Sequence, residues 1–345
     1  MAYSTGTYTT QAGLLSALST FLQLHGWNED DAVSGGKFAI SKNSMYISFR
    51  YDTAVSSGRQ FISLHQATGH TPGNSPGLHP GDSGNGYNTS ATLPTSNTTL
   101  YNERHADVGL AASELKSTYH FFEQDTSPAY CHVVVVREDG QHRHFGFGEL
   151  VHFGTWTGGE YCYGHYIDHT GHTTLPYEWD DHYVLLDGRF SGSTIKRRGT
   201  MRCEAFIDED AATIWGDIYA AIDNDPGVDE AGNPKMSIQG GYRAGPLFRS
   251  LGGFATGRTN GQVNMIPIDL YQFFPQTAPV PDRFRFLGNM ADVRGIILDG
   301  IEPGAEETIG SETWVCFPSV RKAEVAGNSD YNTKYQGIAY RKETA

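Results

Sequence analysis

Apolar residues recur at Leu14, Leu15, Leu18, Phe21 and Leu22, a three- and four-residue spacing that lays side chains along one stripe of a helix. Thr9 or Thr10 can cap its start and Gly26 can stop it. The stripe is expected to dock on the sheet predicted next, or on a neighbouring subunit. After Gly26 the period falls to two. KFAISKNSMYISFRYD (37–52) predicts two strands around a Lys42-Asn43-Ser44 turn, and QFISLHQ (60–66) predicts a third. A helix followed by an antiparallel meander makes a compact unit over 1–67.

From Thr68 to Thr99 the chain is Gly, Pro, Ser, Asn and Thr with few large apolar residues. The pattern predicts a mobile segment or an arm laid on a partner, so 68–115 reads as loop and connector. Strand signals return with YHFFEQ (119–124) and AYCHVVVVRED (129–139), which leads into a type I′ turn at Asp139-Gly140 and back along HRHFGFGELVHF (142–153). Gly146 and Gly148 predict a bulge or a close backbone approach. EYCYGHY (160–166), HYVLLD (182–187) and TMRCEAFID (200–208) continue the β-rich region, 116–235. Within it, AATIWGDIYAAI (211–222) predicts a second short helix, and 223–234 an acidic loop. The last region, 236–345, predicts strands at NMIPIDLYQFF, DRFRFLG and DVRGIILDGI, then a hairpin EETIGSETWVCFP turning at Gly310-Ser311. The fold class that follows is α+β, predominantly antiparallel β with an N-terminal amphipathic helix and long loop insertions.

Composition sharpens this reading. Glycine (41), tyrosine (19) and phenylalanine (18) are abundant, which favours short strands and tight turns over a helical bundle. A net charge of −14 argues against a surface that wraps nucleic acid, and suits a channel wall past which DNA slides as cargo. The only dense basic run, Lys196-Arg197-Arg198, reads as a solvated turn. MAYSTGTYTTQAG lacks a basic n-region and no long apolar run follows it, so neither a signal peptide nor a membrane span is expected. Cys131, Cys162, Cys203 and Cys316 have no paired spacing and read as reduced thiols of a protein made in a cytoplasm.

Ten of the 14 histidines fall between 105 and 182. His142 and His144 share a strand face, and His165 and His169 have helical spacing inside a sequence unsuited to a helix. A Zn or Fe site would draw on two or three of His142, His144, His165, His169 and His172, with or without Asp168. The reading favoured here is half-buried strand and loop histidines bonded to backbone and tyrosines, with no cofactor. Gly81-Asp82-Ser83-Gly84 resembles the nucleophile motif of chymotrypsin-like proteases, but too little folded chain precedes it to supply a base and an orienting carboxylate. Gly146-x-Gly148 lies inside a predicted strand and is no dinucleotide fingerprint. The carboxylates Glu178, Asp180, Asp181, Glu204, Asp208, Glu209 and Asp210 read as solvated loops. No catalytic set emerges, and the chain is expected not to be an enzyme.

YHFF, CHVVVV and HRHFGFGELVHFGTWTGGEYCYGHY, with RFLGNMADVRGIILDGIEPGAEETIGSETWVCFPSVRK and the closing GIAYRK, resemble virion structural proteins of tailed bacteriophages and prophages. The resemblance spans roughly 117–166 and 264–342. It implies a neck, connector, collar, tail-completion or baseplate subunit that assembles with copies of itself and other virion proteins, and it carries no catalytic motif. It implies a virion location after synthesis in a bacterial host cytoplasm, with no membrane partner. Two other readings compete. A receptor- or carbohydrate-binding tail protein would stack Trp156, Tyr161, Tyr163 and Trp179 on sugar rings. A metal-dependent hydrolase would use the histidine cluster.

Overall fold

The structure is a computed structural model. It describes residues 1–51, 60–76, 78–80, 104–109, 117–137, 140–155, 157–164, 201–206, 215–219, 258–259, 262–274, 283–298, 300–318 and 336–342. The described chain is mostly antiparallel β-sheet with one helix, a β-rich α+β fold. It divides into two units: 1–149 with 160–181 and 342–345, and 150–159 with 182–341.

The first unit begins with strand β1 (Ala2–Tyr8) and helix α1 (Gln11–Leu24). Thr10 caps the helix, its extended backbone (φ −145°, ψ 155°) leaving the side-chain oxygen to accept from Gly13 N–H. Gly26, at φ 76°, takes the left-handed conformation that turns the chain away. Leu14, Leu15, Leu18, Phe21 and Leu22 are all buried. Strands β2 (Asn28–Ser34), β3 (Lys37–Lys42), β4 (Met45–Tyr51), β5 (Gln60–Ala67) and β6 (Arg104–Gly109) form a five-stranded meander in that order. Asn43, at φ 54°, supplies the β3–β4 turn.

Strands β7 (Ser117–Gln124), β8 (Tyr130–Val136), β9 (His142–His152) and β10 (Thr157–Tyr163) follow, paired in sequence order with β1 beside β7. Period-two alternation decides which side chains meet. Phe38, Ile40, Ile47, Phe49, Ile62 and Leu64 of the meander share one core with the helix stripe and with Phe121, Cys131, Val133, Val135, Phe145, Phe147 and Cys162. Phe49 and Phe147 meet edge to face at 5.8 Å between centroids, and Trp27 meets Phe147 likewise at 5.4 Å. Polar groups close the rim, where Ser44 Oγ donates to Glu160 and Ala129 N–H to Glu149.

Arg137 N–H donates to Gln141 O and Gly140 N–H to Arg137 O, while Asp139 of the predicted type I′ turn lies outside the described residues. The glycines of β9 make no bulge, because the β8–β9 register runs unbroken from Tyr130↔Gly148 to Val136↔His142. What Gly146 and Gly148 provide is close approach.

The start of the glycine- and proline-rich segment is a compact loop. Thr68 donates from both N–H and Oγ1 to Pro80 O, Thr71 N–H donates to His79 Nδ1, and Asn74 Nδ2 donates to Leu78 O. The ends of this segment meet at Thr68 and Pro80, as in an Ω-loop, and Pro76 and His79 within it are buried. The rest of the predicted arm, 81–99, lies outside the described residues.

The second unit holds the ends of β9 and β10 with β11 (Met201–Phe206), β12 (Trp215–Tyr219), the short pair β13 (Arg258–Thr259) and β14 (Gln262–Val263), β15 (Met265–Phe274), β16 (Arg283–Ile297), β17 (Ala305–Ile309), β18 (Glu312–Pro318) and β19 (Gln336–Lys342). The predicted second helix is overturned: Trp215–Tyr219 pairs antiparallel with both β11 and β15. Trp, Ile and Tyr favour strands, and a neighbour on each side outweighs the helical preference of the flanking alanines. The two strands expected at 282–288 and 292–301 are one. Within it β16 pairs with the end of β9 through 288–290 and with β19 through 293–297, and Asp292 takes φ 54° at the switch. The hairpin turn at Gly310 is found, with φ 62°. Ile296, Leu298, Ile301, Trp314, Cys316 and Ala339 pack as this unit's core. HYVLLD and the acidic loop 223–234 lie outside the described residues.

Candidate functional site

The side chains of β7–β10 that point away from the shared core carry the most chemistry. Tyr130, His132 and Val134 alternate with the core residues of β8, as His142, His144, Gly146 and Gly148 do on β9, and Tyr161 and Tyr163 on β10. Gly146 lies opposite His132 and Tyr163, and Gly148 opposite Tyr130 and Tyr161. The rings lean over the backbone the glycines leave bare. Tyr130 stacks on His132 at 4.7 Å, and Tyr161 on Tyr163 at 6.3 Å. A Cβ on Gly146 would sit 2.6 Å from Cys131 O and 2.8 Å from the Tyr163 ring, and one on Gly148 would sit 2.4 Å from Tyr130 Cβ. Neither position has room for a side chain.

His132 Nδ1 and the Tyr163 hydroxyl are hydrogen-bonded at 3.0 Å, and both residues are fully buried. His142 and His144 occupy the strand face expected of them and are buried too. His165, His169, His172 and Asp168 lie outside the described residues, so the five metal candidates are not seen together. Among the described residues no group of three or more His, Cys, Asp or Glu side chains is placed to hold a metal. Cys131, Cys162 and Cys316 are buried and form no disulfide among the described residues, and burial pushes the Cys131 thiol up. The Gly81-Asp82-Ser83-Gly84 stretch and Trp156 lie outside the described residues.

Three clusters were not read from the sequence. Glu123, fully buried, accepts from Trp27 Nε1 at 2.9 Å and faces Lys42 Nζ at 3.6 Å and His25 Nδ1 at 3.9 Å. Burial raises its pKa, opposed by the bond from Trp27 and the Lys42 charge. Lys42 also donates to His25 O at 2.7 Å, at the end of the helix. In the Ω-loop, His70 contacts Asp31 at 3.1 Å and stacks on His79 at 4.7 Å. On β7, His120 Nδ1 is hydrogen-bonded to the Tyr3 hydroxyl at 2.9 Å, and Lys342 Nζ sits 4.6 Å from the Tyr3 ring centroid. Each joins residues far apart in sequence, and no local spacing marks them.

Tyr161 and Tyr163, offered as sugar platforms, are fully buried, and the Tyr163 hydroxyl is bonded to His132 beneath the same sheet face. Among the described side chains Phe153 is the exposed aromatic ring, 64% accessible. No family model matches the chain, and no characterised protein matches it either.

Proposed function

We propose that the chain is a non-enzymatic structural subunit of a tailed-phage particle, at the neck, tail end or baseplate, that assembles with copies of itself and other virion proteins through β surfaces and extended loops. The observation that carries this reading is where the resembling sequence falls. Residues 117–166 supply β7–β10 and 264–342 supply β15–β19, so the likeness lies in the sheet framework of each unit, on core residues such as Phe121, Val133, Phe147, Trp314 and Cys316. Catalytic function resides in sites grafted on a framework, so a likeness confined to framework residues suits a protein whose work is to present surfaces. The acidic balance, −14, suits a subunit beside DNA that must pass without sticking.

The alternative of a carbohydrate-binding tail protein loses two of its four proposed platforms to burial. The test is co-sedimentation. Particles banded from a lysate of cells that encode the chain should carry it in fixed ratio to the other particle proteins. Recovery solely in the soluble fraction, with intact particles present, would overturn the assignment.

A further inference from the structure

We infer that the edge of β1 turned away from β7 is a self-pairing site, taken by β1 of a second copy running antiparallel about a two-fold axis at Gly6. The inference rests on the reading above for its choice of partner, a copy of the same chain, and gives that assembly a surface. The direction of the backbone groups defines the edge. Arg137 N–H donates to Gln141 O and Glu149 N–H to Ala129 O, so the odd-numbered residues of β8 bond β9 and the even-numbered ones bond β7. Through the β7–β8 and β1–β7 registers, Ala2, Ser4, Gly6 and Tyr8 then bond β7. Thr5 and Thr7 turn their N–H and C=O the other way, and among the described residues no second strand pairs with β1. Both threonines are exposed.

β1 differs from the other edges in carrying no guard. Among the described residues, four strands of five residues or more end a sheet: β1, β2, β6 and β17. β2 carries Glu29, Asp30 and Asp31 with two register shifts, β6 carries Arg104 and Asp107 with one shift, and β17 carries Glu306 and Glu307. Charges and irregular register keep an edge from pairing. β1, AYSTGTY, has no charge and no proline, and its register with β7 is unbroken from Ala2 to Tyr8. A second copy fits this edge because Thr5-Gly6-Thr7 reads the same in both directions. Antiparallel pairing centred on Gly6 sets Thr5 opposite the partner's Thr7 on either side of the axis, each pair exchanging both backbone bonds. Threonine pairs across strands are favourable, and no like charges meet. With −14 on each copy, an uncharged edge is also where approach is least opposed.

Sedimentation velocity of the purified full chain across a micromolar-to-millimolar series should show a reversible two-chain species. Thr7→Pro removes an N–H that β7 does not use, so the circular dichroism spectrum should persist. Its dimer dissociation constant should rise about 30-fold, one bond being lost from each copy. Thr5→Lys adds a charge to the same edge and should weaken the dimer likewise, which keeps the test open if Thr7→Pro fails to fold. A chain that stays monomeric at every concentration overturns the pairing. That holds also where β1 gains protection from hydrogen exchange only within particles, because another protein's strand would then hold the edge. A dimer that both variants leave intact forms through a different surface and overturns it too. Co-sedimentation tests the particle reading separately, so a β1 dimer that never enters particles would remove that reading and leave the pairing standing.

Discussion

Gly146 lies opposite both His132 and Tyr163, and the two side chains meet across it with Nδ1 and the hydroxyl 3.0 Å apart. The glycine is therefore a packing residue, its missing side chain replaced by two borrowed rings. Any Cβ here drives into Cys131 O, which is backbone and cannot step aside. Gly146→Ala should lower stability by about 2–3 kcal/mol, the range of overpacked cores. Gly35→Ala, with open space around its Cβ but φ 57°, should cost about 1 kcal/mol, from backbone strain alone. Urea midpoints at constant slope would check the pair, and equal costs at both positions would refute the packing argument.

How much of this was legible in the sequence depends on how local the cause is. Thr10, the stripe from Leu14 to Leu22 and Gly26 lie within one short segment, and the helix they mark runs from Gln11 to Leu24. The Asn43 turn and the Gly310 turn were readable for the same reason. Strand β1, AYSTGTY, has no apolar period because its side chains are only partly covered, and its order comes from pairing with a segment over 100 residues away. Residues 211–222 misled because alanine propensity is local, whereas the pairing of Trp215–Tyr219 is not. At the site, alternation placed His142 and His144 on one face, but that His132 meets Tyr163 depends on two strand registers at once.

The Trp27, Glu123 and Lys42 cluster makes a sharper prediction about charge. Lys42→Met strips a buried carboxylate of its cation and should cost about 3–5 kcal/mol at pH 7. Adding Glu123→Gln to that variant removes the orphaned charge while leaving an acceptor for Trp27 Nε1, and should restore most of the loss. A double-mutant cycle from chemical denaturation measures the coupling. Additive effects would mean the two side chains do not act together.

The same carboxylate predicts a direction with pH. Glu123 has a folded pKa above its usual 4.5, so the folded state takes up the proton first as pH falls. Its contribution to stability is fully present below 4.5 and is lost as pH rises through the raised value. His120 acts the other way, destabilising the fold between 6.5 and about 4. Denaturation curves of Glu123→Gln and His120→Gln against wild type across pH 7.5 to 4 should therefore diverge in opposite senses. Divergence in one sense would show that one of the two environments is misassigned.

Asp292 offers the last test, at the point where β16 exchanges one partner for another. Its φ of 54° is a conformation that side chains other than glycine, asparagine and aspartate adopt at a cost. Its carboxylate accepts from Arg341 Nη1 at 2.9 Å, and Arg341 also reaches Glu312 at 3.1 Å. Arg294 on the same strand lies over the Trp314 ring at 5.1 Å, so the bend sits among cations held by aromatic and acidic partners. Two effects can then be separated by substitution. Asp292→Gly relieves the backbone and loses the ion pair, while Asp292→Asn tolerates the backbone and weakens the pair. Both should stay within about 1 kcal/mol of wild type, because Arg341 is partly exposed and keeps Glu312. Asp292→Ala loses both and should fall by about 1–2 kcal/mol. A thermal-unfolding series that ranks alanine with glycine would show that the ion pair, and not the backbone conformation, selects aspartate at this bend.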